Sequence, residues 1–239
     1  MTSDLFARLA AGGILLAVLA LVVWRPRGLS VAWPAGVGAL LVILLGLLSL
    51  STLKLIFLDT WDAAATLIAL FVLSQALECN GFFAWAALHL ARIARGSGPR
   101  LYLLVLLLTT GVTALLANDG AVLMLTPIFA TLLTTVYGEE RLRVPFLFAA
   151  GFFADAMSGL FIPSNLTNII LGDAAHLSFA RSALWMFLPT LAAFCVAGAA
   201  FGVRFRTALR VPYTTAALEP PASVIHDRLV FWAGWGALV

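Results

Sequence analysis

Long apolar runs without charge set the pattern of this chain. Val31 to Leu50, Leu101 to Asn118, Gly120 to Gly138 and Ser182 to Val203 contain no charged residue, and Leu9 to Trp24 and Ala63 to Leu77 are shorter runs of the same kind. A hydrocarbon core about 30 Å thick takes on the order of 20 helical residues to cross, so these runs read as membrane spans. Backbone amides in lipid must bond within their own segment, and weak alternation with abundant Leu and Ala favours helices over a β-barrel. The predicted fold is an all-α integral membrane protein, a polytopic helical bundle.

Two places break the apolar pattern from inside. The first is Leu115-Leu116-Ala117-Asn118-Asp119-Gly120-Ala121, where a carboxamide and a carboxylate sit beside glycine between two apolar arms. Both arms lead to arginine-bearing loops, Arg100 before and Arg141 after, so the pair reads as a hairpin that enters and leaves on one side. The absence of a polar outer loop favours a re-entrant hairpin over two full crossings. The second is Ala154-Asp155-Ala156-Met157-Ser158-Gly159, followed by Pro163-Ser164-Asn165-Leu166-Thr167-Asn168. Proline removes a backbone donor and clashes with the preceding turn, so a helix running from Val144 is expected to break near Pro163. Broken helices near the bilayer midplane are where secondary transporters bind substrates and ions.

The candidate substrate and ion ligands are therefore Asn118, Asp119, Asp155, Ser164, Asn165, Thr167 and Asn168, with Gly120, Gly159 and Pro163 marking the interruptions. An intramembrane carboxylate costs a few kcal/mol and persists only if paired or facing water. Each candidate also has a plain structural reading. Asn-Asp-Gly is an ordinary turn sequence, Asp155 has the Ser158 hydroxyl within reach, and Asn165 and Asn168 fit as caps of a broken helix.

Composition agrees with the pattern. Of 239 residues, 63% are hydrophobic and 10% charged, and the mean hydropathy is +1.07. Soluble domains carry roughly half apolar and a quarter charged residues. Arg25, Arg27, Arg92, Arg95, Arg100, Arg141, Arg143, Arg204, Arg206, Arg210 and Arg228 fall on one face, leaving Arg8, Lys54 and Arg181 of the 14 basic residues for the other. Short cytoplasmic loops collect such residues, which places the richer face inside and the N-terminus outside. The net charge of +3 then reflects loop arginines near anionic lipid and not a nucleic-acid surface.

Other polar positions carry less. Asp59, Asp62, Glu78 and Asn80 lie at segment ends, where a solvated or interfacial place is expected, and Gly81 to Arg92 reads as an interfacial helix. Trp24, Trp33, Trp61, Trp185, Trp232 and Trp235 lie near segment ends, as interface belts do. Cys79 and Cys195 are far apart, and a disulfide between them has no support in the sequence. The first apolar run ends in Trp24-Arg25-Pro26-Arg27 without a small-residue cleavage site and reads as a retained helix. His89, His176 and His226 are dispersed, and no catalytic constellation, metal cluster, phosphate loop or cofactor motif stands out, so the chain is not read as an enzyme.

Leu116-Ala117-Asn118-Asp119-Gly120-Ala121 with Leu125-Thr126-Pro127-Ile128 resembles the hairpin signature of the arsenical pump membrane proteins, arsenite efflux permeases of the ion transporter superfamily. Gly151-Phe152-Phe153-Ala154-Asp155 with Pro163-Ser164-Asn165-Leu166-Thr167-Asn168-Ile169 is similar to their second signature. Asn80 to His89 and Trp24 to Leu29 also fit, so the likeness covers essentially the whole chain. It implies a fold of two inverted repeats, each with a re-entrant hairpin and a broken helix, in the bacterial inner membrane. It further implies export of arsenite or antimonite against protons, with an ATPase subunit in some bacteria.

Permeases of this family are near twice as long, so the chain corresponds to the first repeat. It is expected to be a fragment, or to be completed by a C-terminal half-transporter chain or a second copy. Within it, residues 1–100 read as scaffold helices and an interfacial helix, 101–176 as the transport elements, and 177–239 as a following helix, a loop and the start of a truncated helix.

Arsenite near neutral pH is an uncharged trihydroxide, which calls for hydrogen-bonding groups. Asn118, Ser164, Asn165, Thr167 and Asn168 supply them. Proton coupling calls for a carboxylate that titrates as access alternates, with Asp119 the first choice and Asp155 the second. Two alternatives stay open: a sodium/proton antiporter of the same superfamily, since carboxylate and amide oxygens suit a hard cation, and a non-transporting membrane subunit.

Overall fold

The structure, a computed structural model, describes residues 2–238, without the side chains of residues 2–4, Arg27, Asp59 and Leu238. The expected places of Arg27 on the basic face and of Asp59 at a segment end lie outside the described residues, as do Met1 and Val239. Eleven α-helices and short 3-10 turns make up the described residues, with no strand among them. The chain is an all-α, polytopic membrane protein, as its apolar runs predict. Five helices are long and apolar enough to cross a bilayer.

Two compact units divide the chain after Trp61. In the first, α1 (Thr2–Trp24) packs on α2 (Ala32–Leu44), with Gly38 seated so close to the Val18 side chain that any Cβ would collide with it. Here the structure corrects one expected span. The uncharged run 31–50 is helical only over the 13 residues of α2, about 20 Å at 1.5 Å per residue, and turns at Gly46, whose φ of 63° favours glycine. Asp62, read as a segment end, lies inside the 30-residue helix α3 (Leu50–Cys79), which runs through the division.

The second unit holds the core. α5 (Gly98–Leu116), α6 (Asn118–Val136) and α7 (Glu140–Ala156) pack against one another, and α5 and α6 pack against α4 (Phe82–Ile93). Phe83, Phe129, Phe146 and Phe153 are fully buried among them. α4, expected along the interface, buries Phe82, Phe83, Ala87 and Ala91 in this core. α8 (Leu166–Ala174), α9 (Phe179–Arg204), α10 (Arg206–Leu209) and α11 (Arg228–Leu238) complete the unit. Prolines 127, 145 and 189 lie inside helices, which membrane helices accommodate.

The segment after α10 is strapped to the ends of α4, α5 and α6. Tyr213 donates its hydroxyl to the Ala91 carbonyl at 2.5 Å, Tyr137 to Val211 at 3.1 Å, and Arg92 to Leu218 at 2.8 Å. Asn80, expected at a solvated end, is 6% exposed and grips Asp227 from both sides, donating to its carbonyl at 2.9 Å and accepting from its amide at 2.7 Å. A buried carboxamide needs such partners, and this backbone supplies both. Cys79 and Cys195 are free.

Candidate functional site

The hairpin turns on one residue. α5 ends at Leu116 and α6 begins at Asn118, so Ala117 alone reverses the chain, with φ 75° and ψ 143°. That conformation is nearly reserved for glycine and costs an L-residue on the order of 1–3 kcal/mol. Ala117 is fully buried, and the surrounding packing holds it there. Asn118-Asp119-Gly120, expected as the turn itself, forms the first turn of α6 instead. A carboxylate in a first helical turn faces the positive end of the helix dipole, a favourable place for Asp119.

Gly120 is buried and stands opposite Ser74 of α3, whose Oγ would lie 3.5 Å from an added Cβ. Ser74 is 1% exposed and donates its hydroxyl back to the Leu70 carbonyl at 2.8 Å. It is a member of the site that sequence reasoning missed. A serine amid an apolar run was its only signal.

The helix after the hairpin breaks earlier than expected. α7 starts at Glu140 and stops at Ala156, six residues or so before the expected proline break, and Pro163 opens a 3-10 turn, Ile162–Ser164. The Ser158 amide already bonds the Asp155 carbonyl and not that of Ala154, and beyond it side chains take up the Ser158 carbonyl. Asn168 Nδ2 donates to it at 2.7 Å, and Ser164 Oγ, fully buried, also reaches it as well as the Phe161 carbonyl. These side chains take the place of the amide that would continue the helix. Gly159 lets the chain pass beneath α9, where an added Cβ would lie 3.2 Å from Met186. Asn165 caps α8, accepting from the Thr167 amide at 2.9 Å.

The two interruptions meet. Asn118 Nδ2, at the start of α6, donates to Asp155 Oδ1, at the end of α7, at 3.2 Å. Asp155 therefore takes the hairpin amide and not the Ser158 hydroxyl, while its carbonyl accepts the Ser158 amide at 3.1 Å. Three residues of backbone thus link the junction to the carbonyl held by Ser164 and Asn168. Asp119 and Asp155 are both exposed and Asn118 half-buried. Among the described residues no hydrogen bond joins Ser164, Asn165, Thr167 or Asn168 to Asn118 or Asp119, and Thr167 points outward. Helices of 17 to 19 residues place the junction about 26–28 Å from the arginine-bearing ends of α5, α6 and α7.

The donor set is two carboxylates, three carboxamides and the hydroxyls of Ser74, Ser164 and Thr167. Such groups suit a neutral polyhydroxy solute, a proton or a hard cation. Among the described residues no three of His, Cys, Asp or Glu converge as a metal cluster.

The family described as arsenical pump membrane protein matches residues 10–239. The arsenical pump membrane protein of Yersinia enterocolitica is 39% identical over 231 residues, covering 97% of this chain and 54% of the relative. Those of Escherichia coli and Shigella flexneri are each 37% identical over the same shares. The chain spans about half the length of the curated relatives it matches. No solved structure matches it.

Proposed function

The chain belongs to the arsenical pump membrane protein family, and from that premise we propose that it forms one repeat of a secondary transporter that exports arsenite and antimonite in exchange for protons. The observation that carries this reading is the Asn118–Asp155 bond, which joins two helix interruptions through a titratable group. Broken elements of this kind bind substrate where their ends converge within the bilayer.

In this mechanism Asn118, Asn165, Thr167 and Asn168 exchange hydrogen bonds with the hydroxyls of uncharged arsenite, and Ser164, buried on the Ser158 carbonyl, holds the segment that carries them. Asp119, exposed beside the junction, takes and releases the coupling proton, with Asp155 as the second titrating group. Water has access to such a carboxylate from one side at a time, and its protonation accompanies the switch. The remaining length of the relatives corresponds to a facing repeat that completes the site.

The test uses everted vesicles of an exporter-deficient host carrying the full reading frame, with an imposed pH gradient. Asp119→Asn is expected to abolish proton-driven arsenite uptake while leaving the amount of membrane-inserted protein unchanged. Unchanged proton-coupled transport removes Asp119 from the mechanism. Sodium-driven uptake in place of proton-driven uptake moves the reading to the sodium antiporters.

A further inference from the structure

A second site lies at the opposite, arginine-bearing end of the second unit. The start of α7, the end of α9 and α10 border an open cavity of about 600 Å³, lined by the polar Arg141, Arg204 and Thr207 and by the apolar Val144, Pro145 and Phe205. Two arginines and a hydroxyl beside apolar side chains make an amphipathic pocket. We propose that this pocket binds the headgroup of an anionic phospholipid, with one acyl chain lying along α7. The proposal is independent of the transported substrate.

The location supports it. α9 is long and apolar enough to cross a bilayer and ends at Arg204, so the pocket stands where a span meets the headgroup layer. Basic pockets between spans on the arginine-rich side are suited to anionic lipid headgroups. Arg206 and Arg210 are exposed on the same short segment and add to the positive field. Arg141 is paired with Glu139 at 2.5 Å, but their side chains are 81% and 61% exposed. An ion pair so open to water contributes little, and a phosphate replaces it at small cost. Glu139 and Glu140 are the opposing charges that the ligand must outweigh.

The apolar part distinguishes a lipid from a soluble anion. Val144, Phe148 and Phe152 recur at every fourth position of α7, one face of a helix, and are 46%, 58% and 44% exposed. They descend about 12 Å from the pocket. Phe201 and Phe205 of the neighbouring segment close one side, with the Phe148–Phe201 and Phe152–Phe201 ring centroids 5.6 Å and 5.0 Å apart. A nucleotide or an acidic peptide leaves this aromatic channel unused, whereas an acyl chain fills it.

The test is native mass spectrometry of the full chain released from detergent with phosphatidylglycerol or phosphatidylcholine of the same acyl chains. Wild type is expected to retain one phosphatidylglycerol in preference to phosphatidylcholine. Removing both pocket charges in Arg141→Gln/Arg204→Gln is expected to weaken retention on the order of 20- to 30-fold. Thr207→Glu, which keeps both arginines, is expected to weaken it as well and guards against a double variant that fails to fold. Arg228→Gln, outside the pocket, leaves it unchanged. Equal retention of the two lipids, or a double variant that holds phosphatidylglycerol as wild type does, overturns the proposal. Displacement of the lipid by glycerol 3-phosphate at equal concentration overturns it in favour of a free-phosphate site, and displacement by polyglutamate in favour of an acidic partner.

Discussion

Replacing Asn118 with alanine removes the amide that donates to Asp155 Oδ1 at 3.2 Å, the one side-chain bond among the described residues between the hairpin turn and the end of α7. A hydrogen bond to a charged group contributes about 1.5–3 kcal/mol when well formed. This one is at the long end of the range and its acceptor is exposed, so about 1 kcal/mol is the better figure, roughly fivefold in the equilibrium between tied and untied hairpin. In a chain of this size that lowers the thermal midpoint in detergent by roughly 2–4 °C. Arsenite uptake into everted vesicles is expected to fall, by at most about fivefold, because the untied hairpin presents its ligands out of register. Asn118→Asp replaces the donor with a second carboxylate against Asp155, so its midpoint is expected to fall further than that of Asn118→Ala. An Asn118→Ala protein with wild-type midpoint and wild-type uptake refutes the role given to the junction.

Other perturbations test separate parts of the account. Ala117→Gly relieves a φ of 75° and is expected to raise stability by a net of about 1 kcal/mol after glycine's extra chain entropy, while Ala117→Val lowers it; thermal unfolding reads both. Ser164→Ala removes a fully buried hydroxyl from the Ser158 carbonyl and is expected to cost about 1–2 kcal/mol in the same assay. Tyr213→Phe is expected to hasten limited proteolysis between residues 205 and 227, since it frees the strap from Ala91. Burial, and secondarily the neighbouring Tyr213, pushes the Tyr137 phenol from 10.0 up to about 12. The unfolded chain loses that proton first, so this contribution is intact below pH 10 and declines as pH rises towards 12, and Tyr137→Phe flattens that decline.

Charge-free length made the helices legible, and the arms of the hairpin fall where 101–118 and 120–138 read as apolar. The residue that turns the chain was not legible, because alanine has no preference for positive φ and only the packed environment holds Ala117 there. Proline signalled a break but not its place. Nor was it legible that Asn168 and Ser164 reach back ten and six residues to one carbonyl past the end of α7, a capture that local propensity does not encode. Asn165 as a cap follows from the ordinary preference at helix starts. The meeting of Asn118 and Asp155, 37 residues apart, depends on α6 and α7 packing side by side, which no local pattern states.

The central claim is that the hairpin turn lies in a water-accessible site within the membrane whose exposure alternates. Leu115→Cys, 41% exposed beside the turn, made with Asp119 intact and after Cys79 and Cys195 are replaced by serine, can be titrated with a membrane-impermeant thiol reagent added to either side of sealed vesicles. The account predicts labelling from both sides, with the balance shifting when a pH gradient is imposed. Labelling from one side alone, at the rate of a freely solvated thiol and unmoved by the gradient, contradicts it.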